Sequence, residues 1–272
     1  MPNDLSSVIP LIISIISLFI SLCSTFYYTR HSNRLAAQTQ LADLIDKIFI
    51  LSAERQSLIL KAGEPTQEIA NIQLQMKHLL FEIDQMANMQ TLSQPQNRLL
   101  ADTFEDLLFF TYAQKYWNKV FEKPFAMPEL AAEHYRRYGQ FLYRIGDYAK
   151  GISAFEKSLS LPNDSDNKLY INFQTYTDWA SLEYKREMED YTFNIKKGRS
   201  VPFPEFEQVH SILNQAKPLL ESFNRYGFYE NALREYKGVI RLIGTARKAN
   251  TYKKTEGLTT GTKHYFSYVC PE

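Results

Sequence analysis

Cysteine is nearly absent from this chain of 272 residues. Its two cysteines, Cys23 and Cys270, lie near opposite ends of the sequence, so they are poorly placed to bridge, and neither belongs to a nucleophile motif. A chain without a disulfide framework is typical of a reducing compartment. Ten glycines and eleven prolines are too few for low-complexity sequence or for many strands and turns. Hydrophobic residues make up 44% of the chain, which is enough for a substantial core.

The sequence also lacks the motifs of an enzyme. Its five histidines are scattered, with no pair at the spacing of metal ligands, and there is no Gly-x-Ser-x-Gly. The segment from Gly257 to Lys263 is rich in glycine and threonine, but its spacing differs from that of a phosphate-binding loop. Thr also precedes the lysine there instead of following it. We therefore expect no enzymatic activity, no cofactor and no metal site.

Charge is missing between Leu5 and Thr29, and Arg30 and Arg34 follow this run. About 20 helical residues cross the hydrocarbon core of a bilayer, so the run predicts a transmembrane helix over residues 5–29. A cleaved signal peptide is disfavoured because the first seven residues hold no Lys or Arg. A buried core helix is the remaining alternative. Because the basic residues flank only the C-terminal end, we expect a single-pass membrane protein with its N-terminus outside and its helical domain in the cytoplasm.

Two apolar stripes at helical spacing follow the N-terminal run. The segment Gly63-Glu64-Pro65 separates them, and Thr66 after it is a suitable helix N-cap. Two such helices joined by a short turn predict an antiparallel helical hairpin over residues 33–90. The stripes consist of Leu41, Leu44, Ile48, Leu51 and Leu58 in the first helix and Ile69, Ile72, Met76, Leu79, Ile83 and Met86 in the second.

Residues 132–162 carry the most specific pattern in the chain. It combines an aromatic residue, a large–small pair, a Gly-Asp-Tyr turn, a second helix with small and aromatic places, and a final proline. In chain order these are Tyr135, Tyr138-Gly139, Leu142, Gly146-Asp147-Tyr148, Gly151, Phe155, Ser158 and Pro162. The pattern resembles the tetratricopeptide repeat (TPR), a hairpin of two helices. That family prefers alanine at the place of Gly151, since glycine costs about 1 kcal/mol within a helix.

One unit of this kind cannot bury both of its faces, so neighbouring units are expected. Similar spacings occur on either side of it, at Leu100-Ala101, Phe104, Ala113, Trp117 and Val120 and at Trp179-Ala180, Val209, Leu213 and Ala216. A closing helix is marked by Tyr229, Ala232, Tyr236 and Ile240. The resemblance implies an all-α fold with a TPR-like α-solenoid over residues 94–246 and a basic insertion near 190–204. Residues 1–4 would then be a short N-terminal tail and residues 247–272 a basic C-terminal tail.

The resemblance also implies where a partner would bind. In the TPR family, the first helices of successive units line a groove that holds a peptide or a partner helix. The matching residues here are Glu133, Arg136, Gln140, Tyr143 and Arg144 of the best-matched unit and Arg98 of the unit before it. Arg and Tyr are frequent anchors of protein interfaces. We therefore expect a membrane-anchored interaction scaffold or adaptor, with a protein or peptide partner and with membrane lipid around the span.

Two other functions are compatible with the sequence. Ser14, Ser17, Ser21 and Ser24 share one helix face, which favours a homo-oligomer in which the repeats are structural. Seven basic residues between Lys237 and Lys263 are accompanied by Glu256 alone, which would let the C-terminal tail contact the phosphates of nucleic acid, nucleotide or lipid. The net charge of the whole chain is only +1 and predicts no partner, and we do not expect nucleic acid as the main partner.

Overall fold

The computed structural model of the protein describes residues 5–62, 66–87, 92–161, 166–222 and 229–256. Every regular element in these ranges is an α-helix, which confirms the all-α prediction. In chain order the helices are α1 (Leu5–Ala62), α2 (Gln67–Ala87), α3 (Gln94–Asp106), α4 (Phe110–Val120), α5 (Pro128–Arg144), α6 (Tyr148–Ser160), α7 (Asp166–Lys196), α8 (Glu207–Ser222) and α9 (Tyr229–Glu256). The chain divides into two compact units, Met1–Lys123 and Pro124–Glu272.

The predicted transmembrane helix is not found. Among the residues that the structure describes, no helix is long and apolar enough to cross a membrane. Between Leu18 and Thr29 the hydroxyl residues Ser21, Ser24, Thr25 and Thr29 interrupt the apolar residues of α1, and Arg30 and Arg34 follow. The side chains of residues 5–17 and of residue 20 lie outside the described part. The predicted localisation, a single-pass membrane protein with an outside N-terminus and a cytoplasmic helical domain, is therefore wrong.

In the first unit, α1 packs against α2 through the two apolar stripes. The fully buried members are Leu41, Leu44 and Ile48 of α1 and Ile69, Ile72, Met76 and Ile83 of α2. Leu80 and Ala87 are buried, whereas their neighbours Leu79 and Met86 are only half-buried. Thr66 caps α2, because its Oγ1 accepts a hydrogen bond from the backbone N–H of Ile69 at 3.3 Å. The segment Gly63-Glu64-Pro65 lies outside the described residues.

The first unit also contains the antiparallel pair α3 and α4. Ser93 and Gln96 form a capping box at the start of α3. Near the start of α3, the Gln94 side chain donates to the Val120 carbonyl at the end of α4 (3.0 Å), while Phe104 near the end of α3 stacks on Tyr112 at 5.1 Å. Because the contacts run in opposite directions along the two helices, the pair is antiparallel.

The second unit begins with the antiparallel pair α5 and α6, which holds the TPR-like pattern. Gly146, in the turn between the helices, has φ +81°, a conformation that glycine adopts without strain. A Cβ atom at Gly139 would lie 2.9 Å from the Phe155 ring, so glycine permits the close approach of the two helices. Pro162, the predicted end of the pattern, lies outside the described residues.

The second unit continues with α7, α8 and α9. Trp179 and Ala180 of α7 pack with Val209 and Leu213 of α8 in one buried cluster. α7 extends to Lys196, so the predicted insertion at 190–204 is helical in its first part. Among the side chains of α9 that the structure describes, Ala232, Val239, Ile243 and Ala246 are buried, whereas Ile240 is 45% exposed. α9 continues to Glu256, which makes the first part of the predicted C-terminal tail helical, and residues 257–272 lie outside the described part.

Candidate functional site

The helices α5 and α7 lie side by side and run in the same direction. Arg136 of α5 bonds to Asp178 of α7, 42 residues further along the chain. Seven residues after Arg136 on α5, Tyr143 bonds to Glu183 of α7, which lies 40 residues further along the chain than Tyr143. Because the offset stays nearly constant, the two helices are parallel, with α6 as the antiparallel connection between them. First helices of consecutive helix pairs are arranged in this way.

Polar side chains of both helices form a network, which we call the α5–α7 cluster and which consists of Glu133, Arg136, Gln140 and Asp178. The Arg136 guanidinium donates two hydrogen bonds of 2.8 Å to the two oxygens of Glu133 and a third to Asp178 Oδ2. Gln140 Nε2 donates to the same Asp178 oxygen at 2.6 Å. Burial disfavours the charged form of Arg136, but the two carboxylates outweigh burial and raise its pKa.

The helix α9 contributes a further carboxylate near this cluster. Burial raises the pKa of Glu235, and the charge of Asp178 raises it further. Burial likewise raises the pKa of Tyr170 on α7, and the Glu235 charge adds to that effect. Glu235 of α9 and the α7 residues Tyr170 and Asp178 are therefore close enough for their charges to influence one another.

Tyr143 does not reach an open surface. It is buried, and its hydroxyl donates to Glu183 Oε1 and accepts from Trp179 Nε1 at 3.0 Å. Burial raises the pKa of Tyr143, and the hydrogen bond to the Glu183 carboxylate adds to this. Arg186 holds the other oxygen of Glu183 at 2.6 Å. The Tyr143 hydroxyl therefore makes its hydrogen bonds within the second unit, and the binding of a partner by Tyr143 stays a prediction.

The remaining predicted residues lie in different surroundings. Arg144 is exposed on the same face of α5 as Glu133 and Gln140. Arg98 belongs to the first unit, where its Nε lies 3.4 Å from Asp102 Oδ2. The structure thus brings together Glu133, Arg136 and Gln140.

Sequence reasoning missed Asp178 and Glu183, which complete the contacts of α5. Asp178 directly precedes Trp179-Ala180, the pair that resembles Tyr138-Gly139 in the best-matched unit. With Trp179-Ala180 aligned to Tyr138-Gly139, Asp178 corresponds to Arg137 and Glu183 to Leu142, and neither of these was among the predicted groove-facing residues. The repeat spacing therefore does not indicate either residue.

A second polar feature lies where α8 begins. An open cavity of about 600 Å³ is lined by Glu187, Glu205, Phe206, Glu207, Gln208 and Ser211. Burial raises the pKa of Glu187, and Arg186 nearby partly counteracts this. In the part of the chain that the structure describes, no group of His, Cys, Asp and Glu side chains is arranged to hold a metal ion. The α5–α7 cluster is thus the better candidate, and its charged and amide groups are suited to binding.

These features define an all-α protein of consecutive helix pairs, with a polar face along α5 and α7. Comparison with protein-family models, with curated proteins and with solved structures found no significant match to the chain. The resemblance to the TPR family therefore depends on the residues of the sequence pattern and stays a prediction.

Proposed function

We propose that the chain is a protein-docking module that binds a peptide or a partner helix along the polar face of α5 and α7. The observation that carries this proposal is the parallel arrangement of the two helices, bridged by Arg136 between Glu133 and Asp178. In a helical repeat protein, parallel first helices form the surface on which a partner lies.

The contacts within the α5–α7 cluster favour tight binding of a partner. Arg136 has only 12% of its side chain exposed, while Glu133 and Asp178 remain 25% and 32% exposed. The bridging arginine holds these two carboxylates in fixed positions, and part of each carboxylate side chain remains accessible at the surface. A side chain that is already ordered loses less conformational entropy when a partner binds. The face therefore offers preorganised hydrogen-bond acceptors, whose binding to a partner costs little conformational entropy.

The size of the face fits a short helix or an extended peptide. α5 contains 17 residues and is therefore about 25 Å long at 1.5 Å per residue. Arg144 and Gln174 mark the parts of the face outside the cluster, one on each helix. A partner that lies along both helices would pass within reach of these two positions.

Site-specific photo-crosslinking tests the proposal. A photoreactive amino acid replaces Arg144 or Gln174 on the face, or, as a matched control, Ala149 or Glu156 on the exposed side of α6. We expect one discrete protein adduct from both face positions and none from the α6 positions. Adducts of equal yield from all four positions, or from none, would contradict docking on this face.

A further inference from the structure

The outer face of α9 carries a row of exposed basic side chains. This row, which we call the α9 basic row, consists of Arg234, Lys237, Arg241 and Lys248. At 100° per residue the four side chains fall within about 60° of one another around the helix axis, over about 21 Å of its length. Val239, Ile243 and Ala246 are buried on the other side of α9, so the row points away from the core.

The described part of the chain provides no partner for these four charges. None of them has an ion pair or a hydrogen bond there, whereas the neighbouring Arg247 donates to the Glu205 carbonyl at 3.0 Å. Glu235, the acidic residue between 232 and 250, lies on a different side of the helix, near Asp178. Four like charges on one helix face repel one another, and an anionic partner relieves that repulsion.

The side chains between the charges indicate which anion fits. Gly244 and Thr245 occupy the middle of the row, are exposed, and leave open space around Gly244. Protein interfaces depend on buried aromatic and apolar anchors, and single-stranded nucleic acid is held by aromatic stacking. Among the described side chains of α9, Ile240 is the large apolar one that is exposed (45%), and it lies beside the row without an aromatic or apolar neighbour that is equally exposed. Contacts to a phosphate backbone require only cations that can approach it closely.

We infer that the α9 basic row binds the phosphate backbone of double-stranded nucleic acid without reading its sequence. A duplex carries one charge per about 1.7 Å, so a row of about 21 Å can lie along several phosphates at once. Four such contacts predict that log K falls with log salt concentration at a slope of about −3.6. Between about 50 and 200 mM salt the affinity should therefore fall by about a hundredfold.

The test uses the full chain and short duplexes of DNA and of RNA, each with a fluorescent label. Binding is measured by fluorescence anisotropy over a series of salt concentrations. The row variant carries Arg234→Gln, Lys237→Gln, Arg241→Gln and Lys248→Gln. A matched control removes the same charge from exposed lysines elsewhere, with Lys47→Gln, Lys61→Gln, Lys185→Gln and Lys217→Gln. Circular dichroism checks that both variants keep their helices.

We expect the unmodified chain and the control to bind at least one duplex with a slope between about −3 and −4. The row variant should bind at least about tenfold more weakly at low salt, with a much flatter slope. The DNA and RNA arms then show which duplex is bound. Absence of binding at low salt, or equal losses in the row variant and the control, would overturn the inference. Row-dependent binding of polyglutamate or anionic vesicles, without duplex binding, would overturn it in favour of another anion.

Discussion

At the scale of single residues, two glycines of the pair α5 and α6 face large aromatic rings, Gly139 the ring of Phe155 and Gly151 the ring of Tyr143. A Cβ atom at Gly151 would lie 2.5 Å from Cδ2 of Tyr143 and 2.8 Å from its Cε2. The Tyr143 ring cannot move aside freely, because its hydroxyl is bonded to Glu183 and Trp179. The departure from the family's alanine at Gly151 is therefore explained by the large ring at Tyr143.

Replacing Gly151 with alanine should lower the free energy of unfolding by about 1–3 kcal/mol, since overpacking outweighs the better helix propensity of alanine. Gly244→Ala on α9 is the matched control, because no atom lies within 4 Å of the added Cβ. That change should raise the free energy of unfolding by about 1 kcal/mol. Urea unfolding followed by circular dichroism measures both values. If Gly151→Ala were more stable than the unmodified chain, the Tyr143 ring would have to move aside to accommodate the added Cβ atom.

Tyr143 also predicts how stability depends on alkaline pH. Burial and the Glu183 carboxylate raise its pKa in the native protein above the ordinary value of 10.0. Above pH 10 the unfolded chain therefore loses this proton while the native protein keeps it, so the free energy of unfolding falls as pH rises. In Tyr143→Phe the fall should be shallower by about 1.4 kcal/mol per pH unit.

The measurement is urea unfolding at pH values from neutral to strongly alkaline. At neutral pH the same variant should already be less stable by about 1–3 kcal/mol, because the buried Glu183 loses a hydrogen-bond donor. Tyr28→Phe on the exposed surface of α1 serves as the control. If the free energy of unfolding falls as steeply with alkaline pH in Tyr143→Phe as in the unmodified chain, Tyr143 is not held protonated in the native protein.

At the scale of helices, the apolar periodicity was sufficient to place most of the core. Ile48 and Met76 are fully buried, as their stripes predicted, and so are Phe104 and Trp117. Ile240 was placed on the wrong face of α9, because its neighbour Val239 is also apolar and periodicity alone does not distinguish them.

The α5–α7 cluster was only half predictable, because no local pattern says that Arg136 meets a carboxylate 42 residues away. The hairpin α5–α6 follows from residues close in sequence, such as Gly139 and Phe155. The pairing of α5 with α7 depends instead on how the next helix pair stacks, which the sequence expresses only through its spacing.

A double-mutant cycle between Arg136 and Asp178 tests whether this pairing stabilises the stack. Both single alanine variants should lose stability, and the double variant should lose less than their sum, with a coupling of about 0.5–3 kcal/mol. Asp147 Oδ2 and Lys150 Nζ lie 2.7 Å apart at the start of α6. This pair is the control and should show much weaker coupling, because it is largely exposed. Coupling as weak as in this control would mean that apolar packing alone holds α5 against α7.

At the scale of the whole molecule, the second unit contains a core of its own. Its main buried cluster joins α5, α6, α7, α8 and α9 and includes Tyr143, Phe155, Trp179, Phe206 and Ile243. A smaller cluster around Phe173 and Leu220 also lies entirely within residues 124–272. Domains that bury their own apolar residues in this way fold alone.

We therefore expect residues 124–272, expressed alone, to unfold in urea as one cooperative transition with a preserved near-ultraviolet circular dichroism signal. The matched control is a fragment of residues 166–272, which lacks α5 and α6 and so loses Tyr143 and Phe155 from the main cluster. Without these rings the remaining apolar surface has no close packing partner, and this shorter fragment should show gradual unfolding and bind a hydrophobic dye. If residues 124–272 behaved like the control, their core would depend on the rest of the chain, and the division into two independent folding units would be wrong.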